Sequence, residues 1–95
     1  MIVRFLASAR ADLDDIYFYV AQFDADAADR LVDRLRGSTR RLIDHPESAP
    51  TRRDIASDAR GISVSPYVVL YRIGSAEVQV VRVVRASRDM SAIDF

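Results

Sequence analysis

The sequence predicts an α+β fold, a two-layer sandwich in which an antiparallel helical hairpin packs on one face of a three- to four-stranded antiparallel sheet. Two segments in the first half carry apolar residues at helical spacing, and three segments in the second half are rich in β-branched and aromatic residues. A short strand candidate precedes both halves. The predicted order is therefore strand, helix, helix, strand, strand, strand, in one domain over residues 1–95.

The helical half follows the strand candidate at 2–6. Ser8 is predicted to cap the first helix, since its hydroxyl can accept from a free backbone N–H. The buried stripe of this helix recurs at helical spacing: Ala9, Leu13, Ile16, Val20 and Phe23. A break at 24–26 leads to a second helix from about Ala27 to Asp44, which Pro46 ends.

The sheet half ends in a tight hairpin, because Tyr67–Ile73 and Glu77–Val84 flank the short turn 74–76. A half-buried strand starting near Arg60 precedes the hairpin. The last strand is expected at the sheet centre because both of its faces are apolar: Val78, Val80 and Val84 on one, Val81 and Val83 on the other. We expect the sheet face opposite the helices to be exposed and residues 86–95 to form a polar tail. The residues expected in the core are Leu13, Ile16, Leu31, Leu35, Val69 or Leu70, and Val81 or Val83.

The composition excludes several classes of site. The chain has no cysteine, which excludes disulfides, thiolate zinc sites and cysteine nucleophiles. All 14 basic residues are arginine, so no lysine can act as a general base or form a Schiff base. No apolar run is long enough to span a membrane and no signal-peptide pattern opens the chain, which predicts a cytoplasmic protein without membrane contact. We expect no metal and no cofactor.

Charge is unevenly distributed although the formal net charge is +0. Five aspartates and one arginine lie between Ser8 and Asp26, whereas five arginines and one glutamate lie between Arg60 and Arg88. The only histidine, His45, stands at a predicted helix C-terminus, where its side chain can interact favourably with the negative end of the helix dipole. The arginine-rich sheet is suited to contact with an anionic or flat partner.

The ordered set of segments resembles the toxins of bacterial type II toxin–antitoxin modules, the RelE/ParE superfamily, and the ParE branch within it. The resemblance covers essentially the whole chain, and no single segment is specific by itself. The matching segments are Ala11-Asp12-Leu13-x-x-Ile16, Leu31 to Leu42 with His45-Pro46, Arg60-Gly61, Tyr67 to Arg72, Val78 to Val84, and Arg88-Asp89. Two positions depart from the family pattern: Ala49-Pro50-Thr51 replaces a frequent glycine, and Arg85 stands where the family often has a histidine.

The resemblance implies a toxin that is neutralised by a ParD-like antitoxin and that inhibits DNA gyrase by protein–protein binding, without a hydrolytic site. Operator DNA would be contacted only indirectly, through the antitoxin. Two alternatives stay open: a ribosome-dependent mRNA endoribonuclease of the RelE type, and a non-toxic co-repressor module. The residues favour binding over RNA cleavage because arginine does not titrate near neutral pH and no tyrosine follows Tyr71.

The candidate site residues form two groups, and none is predicted to be catalytic. The first group is expected to bind the target: Arg82, Arg85, Arg88 and Phe95. The second is expected to bind the antitoxin: Tyr17, Phe18, Tyr19, Arg60, Tyr71 and Arg72. Three consecutive aromatic residues cannot all face the core of one helix, so at least one of those at 17–19 must point outward.

Overall fold

A computed structural model describes all 95 residues and confirms the predicted α+β class and element order. The helices are α1 (Ala7–Ala21) and α2 (Ala25–Gly37), with short 3-10 turns at Arg40–Ile43 and Met90–Ala92. The strands are β1 (Ile2–Phe5), β2 (Arg60–Val64), β3 (Tyr67–Ile73) and β4 (Glu77–Arg85), arranged in the order β1-β4-β3-β2.

The sheet is mixed rather than antiparallel throughout. The pairs β2–β3 and β3–β4 are antiparallel as predicted, but β1 runs parallel to β4. Hydrophobic alternation indicates which face a strand buries. It does not indicate whether the strand runs parallel or antiparallel to a partner strand that is distant in the sequence. That direction depends on the path of the whole chain between β1 and β4.

The first turns of α1 cover the part of β4 that β1 does not reach. β1 pairs with β4 only from Glu77 to Val80, although β4 continues to Arg85. Beyond that point, the Ser8 hydroxyl donates to Val81 O at 2.6 Å, and the Asp12 carboxylate accepts from Val83 N at 2.9 Å. The prediction that Ser8 caps α1 is therefore wrong, because its hydroxyl satisfies a strand carbonyl instead. Leu6 occupies the N-cap position without a side-chain hydrogen bond.

The second helix ends earlier than predicted. Asp24 caps it by accepting from Ala27 N at 3.0 Å, but α2 stops at Gly37 and a separate 3-10 turn follows. The hydroxyls of Ser38 and Thr39 donate to Leu35 O and Arg36 O, so these side chains compete with the backbone for the last helical carbonyls. The apolar stripe persists across this break because Leu42 is fully buried.

The main core lies between the helices and the sheet. Leu13, Leu35, Val69 and Val83 are buried there as predicted, whereas Ile16 and Leu31 are only partly buried. A β-bulge shifts the register of β4 opposite Leu70 and Tyr71. The extra residue puts Val83 on the same face as Val78 and Val80, and moves Val84 to the other face. The predicted grouping of Val78, Val80 and Val84 on one face is therefore wrong.

The sheet face opposite the helices is covered, not exposed as predicted. Val68, Leu70, Val84 and Ile93 form a second buried cluster there. Ile55 from the loop before β2, and Met90 and Phe95 from the C-terminal segment, pack against it. We call residues 51–59 and 86–95 the back layer. The C-terminal segment was expected to be a polar tail, but it carries just enough apolar residues to cover this face.

Candidate protein-binding surface

The structure separates the four residues that were predicted to bind the target. Strand β4 continues through Arg85, so that Arg82 and Arg85 lie on opposite faces of the sheet. Arg88 follows in an exposed turn, in which its backbone N–H donates to Arg85 O at 3.1 Å. Phe95 is partly buried against the second core cluster. Only Arg85 and Arg88 therefore present free charged groups to a partner.

Arg82 is held within the molecule. Its guanidinium donates to both carboxylate oxygens of Asp12, at 2.7 and 3.1 Å, and to Asp94 O at 3.2 Å. The side chains of Arg82 and Asp12 are only 17% and 15% exposed, and the hydrogen bond that Arg82 donates to Asp12 raises the pKa of Arg82 further above its usual value. This bidentate pair joins α1, β4 and the back layer, so its position is that of a structural contact.

A groove runs along the open side of α1 next to Arg85. One half, of about 350 Å³, is lined by residues that include Asp12, Tyr67 and Arg88. The other half, of about 470 Å³, extends to Tyr19, and both halves share Asp15, Ile16, Tyr67 and Arg85. The Arg85 guanidinium lies 5.6 Å from the centre of the Tyr67 ring, which orients it by a cation–π contact. Neither Arg85 nor Arg88 forms an ion pair within the protein.

Three aromatic side chains on α1 and at its C-terminal end are exposed. Phe18, Tyr19 and Phe23 are 67%, 61% and 77% exposed, and we call them the aromatic patch. Tyr19 and Phe23 meet edge to face with their ring centroids 5.8 Å apart. Phe23 was expected in the core, but it follows the end of α1, where the helical spacing no longer holds. Tyr17 is partly buried and contacts Phe18. Because Tyr19 also lines the groove, the Tyr19 and Phe23 side of the aromatic patch adjoins the groove that carries Arg85.

The other predicted antitoxin contacts are engaged inside the protein. Tyr71 is fully buried and donates its hydroxyl to Pro46 O at 2.7 Å, and burial raises the pKa of that hydroxyl above its ordinary value. Arg60 donates to the carbonyls of Glu47 and Ala49, which fixes the loop after α2. Arg72 donates to Gln79 Oε1 at 2.7 Å across the hairpin. The two arginines are partly exposed, whereas the Tyr71 ring presents no surface to a partner.

No group of three or more histidine, cysteine, aspartate or glutamate side chains is arranged to hold a metal ion. His45 is exposed in the turn that follows the first 3-10 turn, where its backbone N–H donates to Arg41 O at 2.8 Å. It lines none of the groove. No helix has the length and apolar character that a membrane crossing requires.

Comparisons with known proteins match this chain to toxins. A family model described as "ParE toxin of type II toxin-antitoxin system, parDE" matches residues 3–90. The chain is 35% identical to "Toxin RelE2" of Caulobacter vibrioides over 80 residues, which are 84% of this chain and 89% of that protein. It is 31% identical to "Putative toxin Y4kP" of Sinorhizobium fredii over 84 residues, which are 88% and 86% of the two chains.

The fold is also similar to a solved structure titled "Chromosomal ParDE TA system from P. aeruginosa". The two superpose with a TM-score of 0.77 at 24% identity, covering 90% of this chain and 95% of that one. At this identity the likeness establishes the fold alone.

Proposed function

This chain belongs to the ParE family of toxins of type II toxin–antitoxin systems, and we propose that it acts by binding its target, DNA gyrase, rather than by catalysing a reaction on it. The choice of gyrase rests on the resemblance to the ParE branch. The observation that carries the binding mechanism is the pair of free arginines at the end of β4, Arg85 and Arg88, beside a groove with aromatic walls. Because gyrase acts on DNA, the proposal places the toxin in the cytoplasm.

The chemistry of the groove favours contact over proton transfer. Its cations are guanidinium groups, which stay charged at any physiological pH and cannot exchange protons with a substrate. Arginine beside an exposed aromatic ring is instead the combination that supplies much of the binding energy at protein interfaces. Arg85, Arg88 and Tyr19 are therefore the proposed target contacts.

A carboxylate of the groove favours a protein partner over an RNA. Asp15 lines the same groove as the two arginines and forms no ion pair within the protein, whereas Asp12 is already paired with Arg82. An RNA strand would bring its phosphates against Asp15, and that repulsion would offset part of the attraction to the arginines. A protein surface can present groups of both signs, and so it can match the arginines and Asp15 together.

We propose that a ParD-like antitoxin neutralises the toxin by covering this surface. The aromatic patch is the largest exposed apolar feature of α1, and its member Tyr19 lies in the groove that leads to Arg85. An antitoxin segment packed on the patch would reach the target-binding arginines without any change in the toxin fold. Operator DNA would then be bound by the antitoxin, with the toxin attached to the complex.

The test is inhibition of DNA supercoiling by purified toxin and gyrase. We expect the wild type to inhibit supercoiling. The double variant Arg85→Ala/Arg88→Ala, which removes two interface cations, should need a concentration about tenfold higher or more for the same inhibition. The matched control is Arg30→Ala/Arg53→Ala, which removes two exposed arginines elsewhere and should inhibit like the wild type. Circular dichroism confirms that every variant is folded.

Each result of this experiment has a clear meaning. If Arg85→Ala/Arg88→Ala inhibits gyrase fully, the site is wrong. If the wild type leaves gyrase unaffected but cleaves message on ribosomes, the ribonuclease alternative replaces the gyrase mechanism. If it does neither, and only joins the antitoxin on operator DNA, the co-repressor alternative replaces both.

A further inference from the structure

We infer that Arg34, on α2 and outside the groove, is a positioning residue of the target-binding surface. It holds the turn between β2 and β3, and this turn in turn fixes the end of β4, where Arg85 and Arg88 lie. The inference rests on the proposed function, because it assigns a further residue to the same site. Arg34 lines neither half of the groove, so it acts through the backbone and not through contact with the target.

The end of β4 has a neighbouring strand on one side only. β1 pairs with β4 as far as Val80, so β3 alone borders residues 81–85 as a strand. On the other side, α1 holds this stretch through Asp12, which accepts from Val83 N at 2.9 Å, and the hydrogen bonds from α1 reach no further along β4. The position of Arg85 therefore depends on the first residues of β3 and on the turn before them.

That turn is bonded directly to the end of β4. Tyr67, the first residue of β3, pairs with Arg85 at the end of the β3–β4 ladder. One residue further, Ala86 N donates to Pro66 O at 2.8 Å, so the turn extends the ladder beyond the strand. Arg88 N then donates to Arg85 O at 3.1 Å, which closes the next turn. A shift of Pro66 or Tyr67 would therefore move both arginines.

The Tyr67 ring transmits the position of the backbone to the Arg85 side chain. The ring belongs to the main core cluster, and the Arg85 guanidinium lies 5.6 Å from its centre. A flexible arginine loses side-chain freedom when it binds a partner, and this loss weakens binding. A ring that already restricts the guanidinium lowers that cost. Because Tyr67 starts β3, the placement of its ring depends on the same turn.

Arg34 connects this turn to the helical layer. Its Nη2 donates to Ser65 O at 3.0 Å, although the two residues are 31 positions apart. Ser65 and Pro66 are both exposed, so packing in the core does not hold them. Arg34 forms no ion pair that would draw its guanidinium elsewhere. Loss of this donor should loosen the turn and leave the core packed.

Arg30 provides a matched control on the same helix. It lies one turn before Arg34, is exposed like Arg34, and forms no ion pair. Arg34→Ala and Arg30→Ala remove the same charge and the same kind of side chain, but only Arg34→Ala removes the hydrogen bond to Ser65 O. Arg34 also lies in the last turn of α2, where a positive charge stabilises the helix. The experiment has to separate this stabilising role from positioning.

The test is a mutant cycle that measures the dissociation constant of the purified toxin for purified gyrase. We expect Arg34→Ala to raise this constant about two- to tenfold, the effect of one net hydrogen bond, and Arg30→Ala to leave it unchanged. In the background of Arg85→Ala/Arg88→Ala, Arg34→Ala should have no further effect, because the side chains that it positions are gone. A direct contact of Arg34 with gyrase, or a loss of folded protein, would weaken binding by the same factor in both backgrounds. That result would overturn the inference.

Hydrogen exchange in the free toxin gives a second measurement that does not involve gyrase. The Ala86 amide should exchange about two- to tenfold faster in Arg34→Ala than in Arg30→Ala, because Pro66 O, its acceptor, is no longer held in place. The amide of Val69, in the buried middle of β3, should exchange at the same rate in both variants. Equal exchange of the Ala86 amide, or equal acceleration of both amides in Arg34→Ala, would show that Arg34 does not position the turn.

The two proposals fail in different ways. If the wild type binds gyrase and Arg34→Ala binds it as tightly as Arg30→Ala does, the positioning role is wrong while the proposed function stands. If the wild type does not bind gyrase, the proposed function fails, and the role of Arg34 in target binding fails with it.

Discussion

Replacement of Asp12 by alanine tests how α1 is attached to the sheet. The Asp12 carboxylate accepts three hydrogen bonds: two from Arg82 and one from the backbone N–H of Val83. Alanine at this position removes all three at once. Val83 is buried, so its N–H cannot find water easily, and Arg82 keeps only its bond to Asp94 O.

The magnitude follows from these lost partners. A buried N–H left without an acceptor costs about 1–3 kcal/mol. The unpaired guanidinium adds roughly 1 kcal/mol, less than in a dry interior because Arg82 is still 17% exposed to water. We therefore expect Asp12→Ala to lower the free energy of unfolding by about 2–4 kcal/mol, a large share of the roughly 5–14 kcal/mol available to a domain of this size.

Urea unfolding followed by circular dichroism measures this change directly. The thermal midpoint should fall by about 10–30 °C, since 1 kcal/mol corresponds to roughly 4–8 °C in a domain of this size. Asp12→Asn keeps one oxygen, which can still accept from Val83 N and Arg82 Nε, but it loses the charge and the oxygen that accepts from Arg82 Nη2, so it should cost about half as much. Asp14→Ala, an exposed neighbour without a side-chain partner, should change stability by less than about 0.5 kcal/mol. An Asp12→Ala protein as stable as Asp14→Ala would refute the assignment of Asp12 as the attachment point.

Three further predictions concern the core, the loop after α2 and the back layer. Leu35→Ala should cost about 2–5 kcal/mol in urea unfolding, because Leu35 is fully buried; a cost below 1 kcal/mol would contradict the packing. Tyr71→Phe should cost about 1 kcal/mol at neutral pH by leaving Pro46 O without its donor. Because burial raises the pKa of Tyr71, the unfolded chain releases this proton first as pH rises, so wild type should lose stability relative to Tyr71→Phe above pH 10.0; a constant difference up to pH 11 would contradict this. A chain ending at Arg85 should be less stable by about 3–6 kcal/mol, because Ile93, Met90 and Phe95 no longer cover Val68, Leu70 and Val84; a folded and equally stable truncated chain would show that the back layer is dispensable.

The elements that could be predicted from the sequence are those that a local pattern of residues determines. The buried stripes of α1 and α2, which include Leu13 and Leu35, follow from helical spacing, and the hairpin around Gly74 follows from turn chemistry. The direction of β1 could not be predicted, because it depends on a path through more than fifty intervening residues. The bulge in β4 could not be predicted either, since an extra residue in a run of valines leaves no change in hydrophobicity to detect.

The candidate site was predicted less well than the fold, for a physical reason. Arginine has the same appearance in sequence whether it is free or paired, and its state depends on contacts made in three dimensions. Arg82 and Arg85 are three positions apart, yet one meets a carboxylate of α1 and the other stacks on Tyr67 at the edge of an open groove. The sequence feature that could have distinguished the paired Arg82 from the free Arg85 is Asp12. This residue stands four positions after Ser8, and an α-helix presents side chains at that spacing on one face.

This pairing also determines how the toxin surface must be probed. Arg82 bonds Asp94 O, and Asp94 lies between Ile93 and Phe95 of the back layer, so the C-terminal segment and the attachment of α1 share one guanidinium. Removal of the C-terminal segment would therefore disturb Arg82, then Asp12, and then the position of α1 along the groove. Loss of toxicity in a truncated chain would report this structural disturbance as readily as the loss of a target contact. Substitution of Arg85 and Arg88 avoids the ambiguity, because neither side chain forms a hydrogen bond or an ion pair within the protein, and Arg85 only stacks on the Tyr67 ring at the groove.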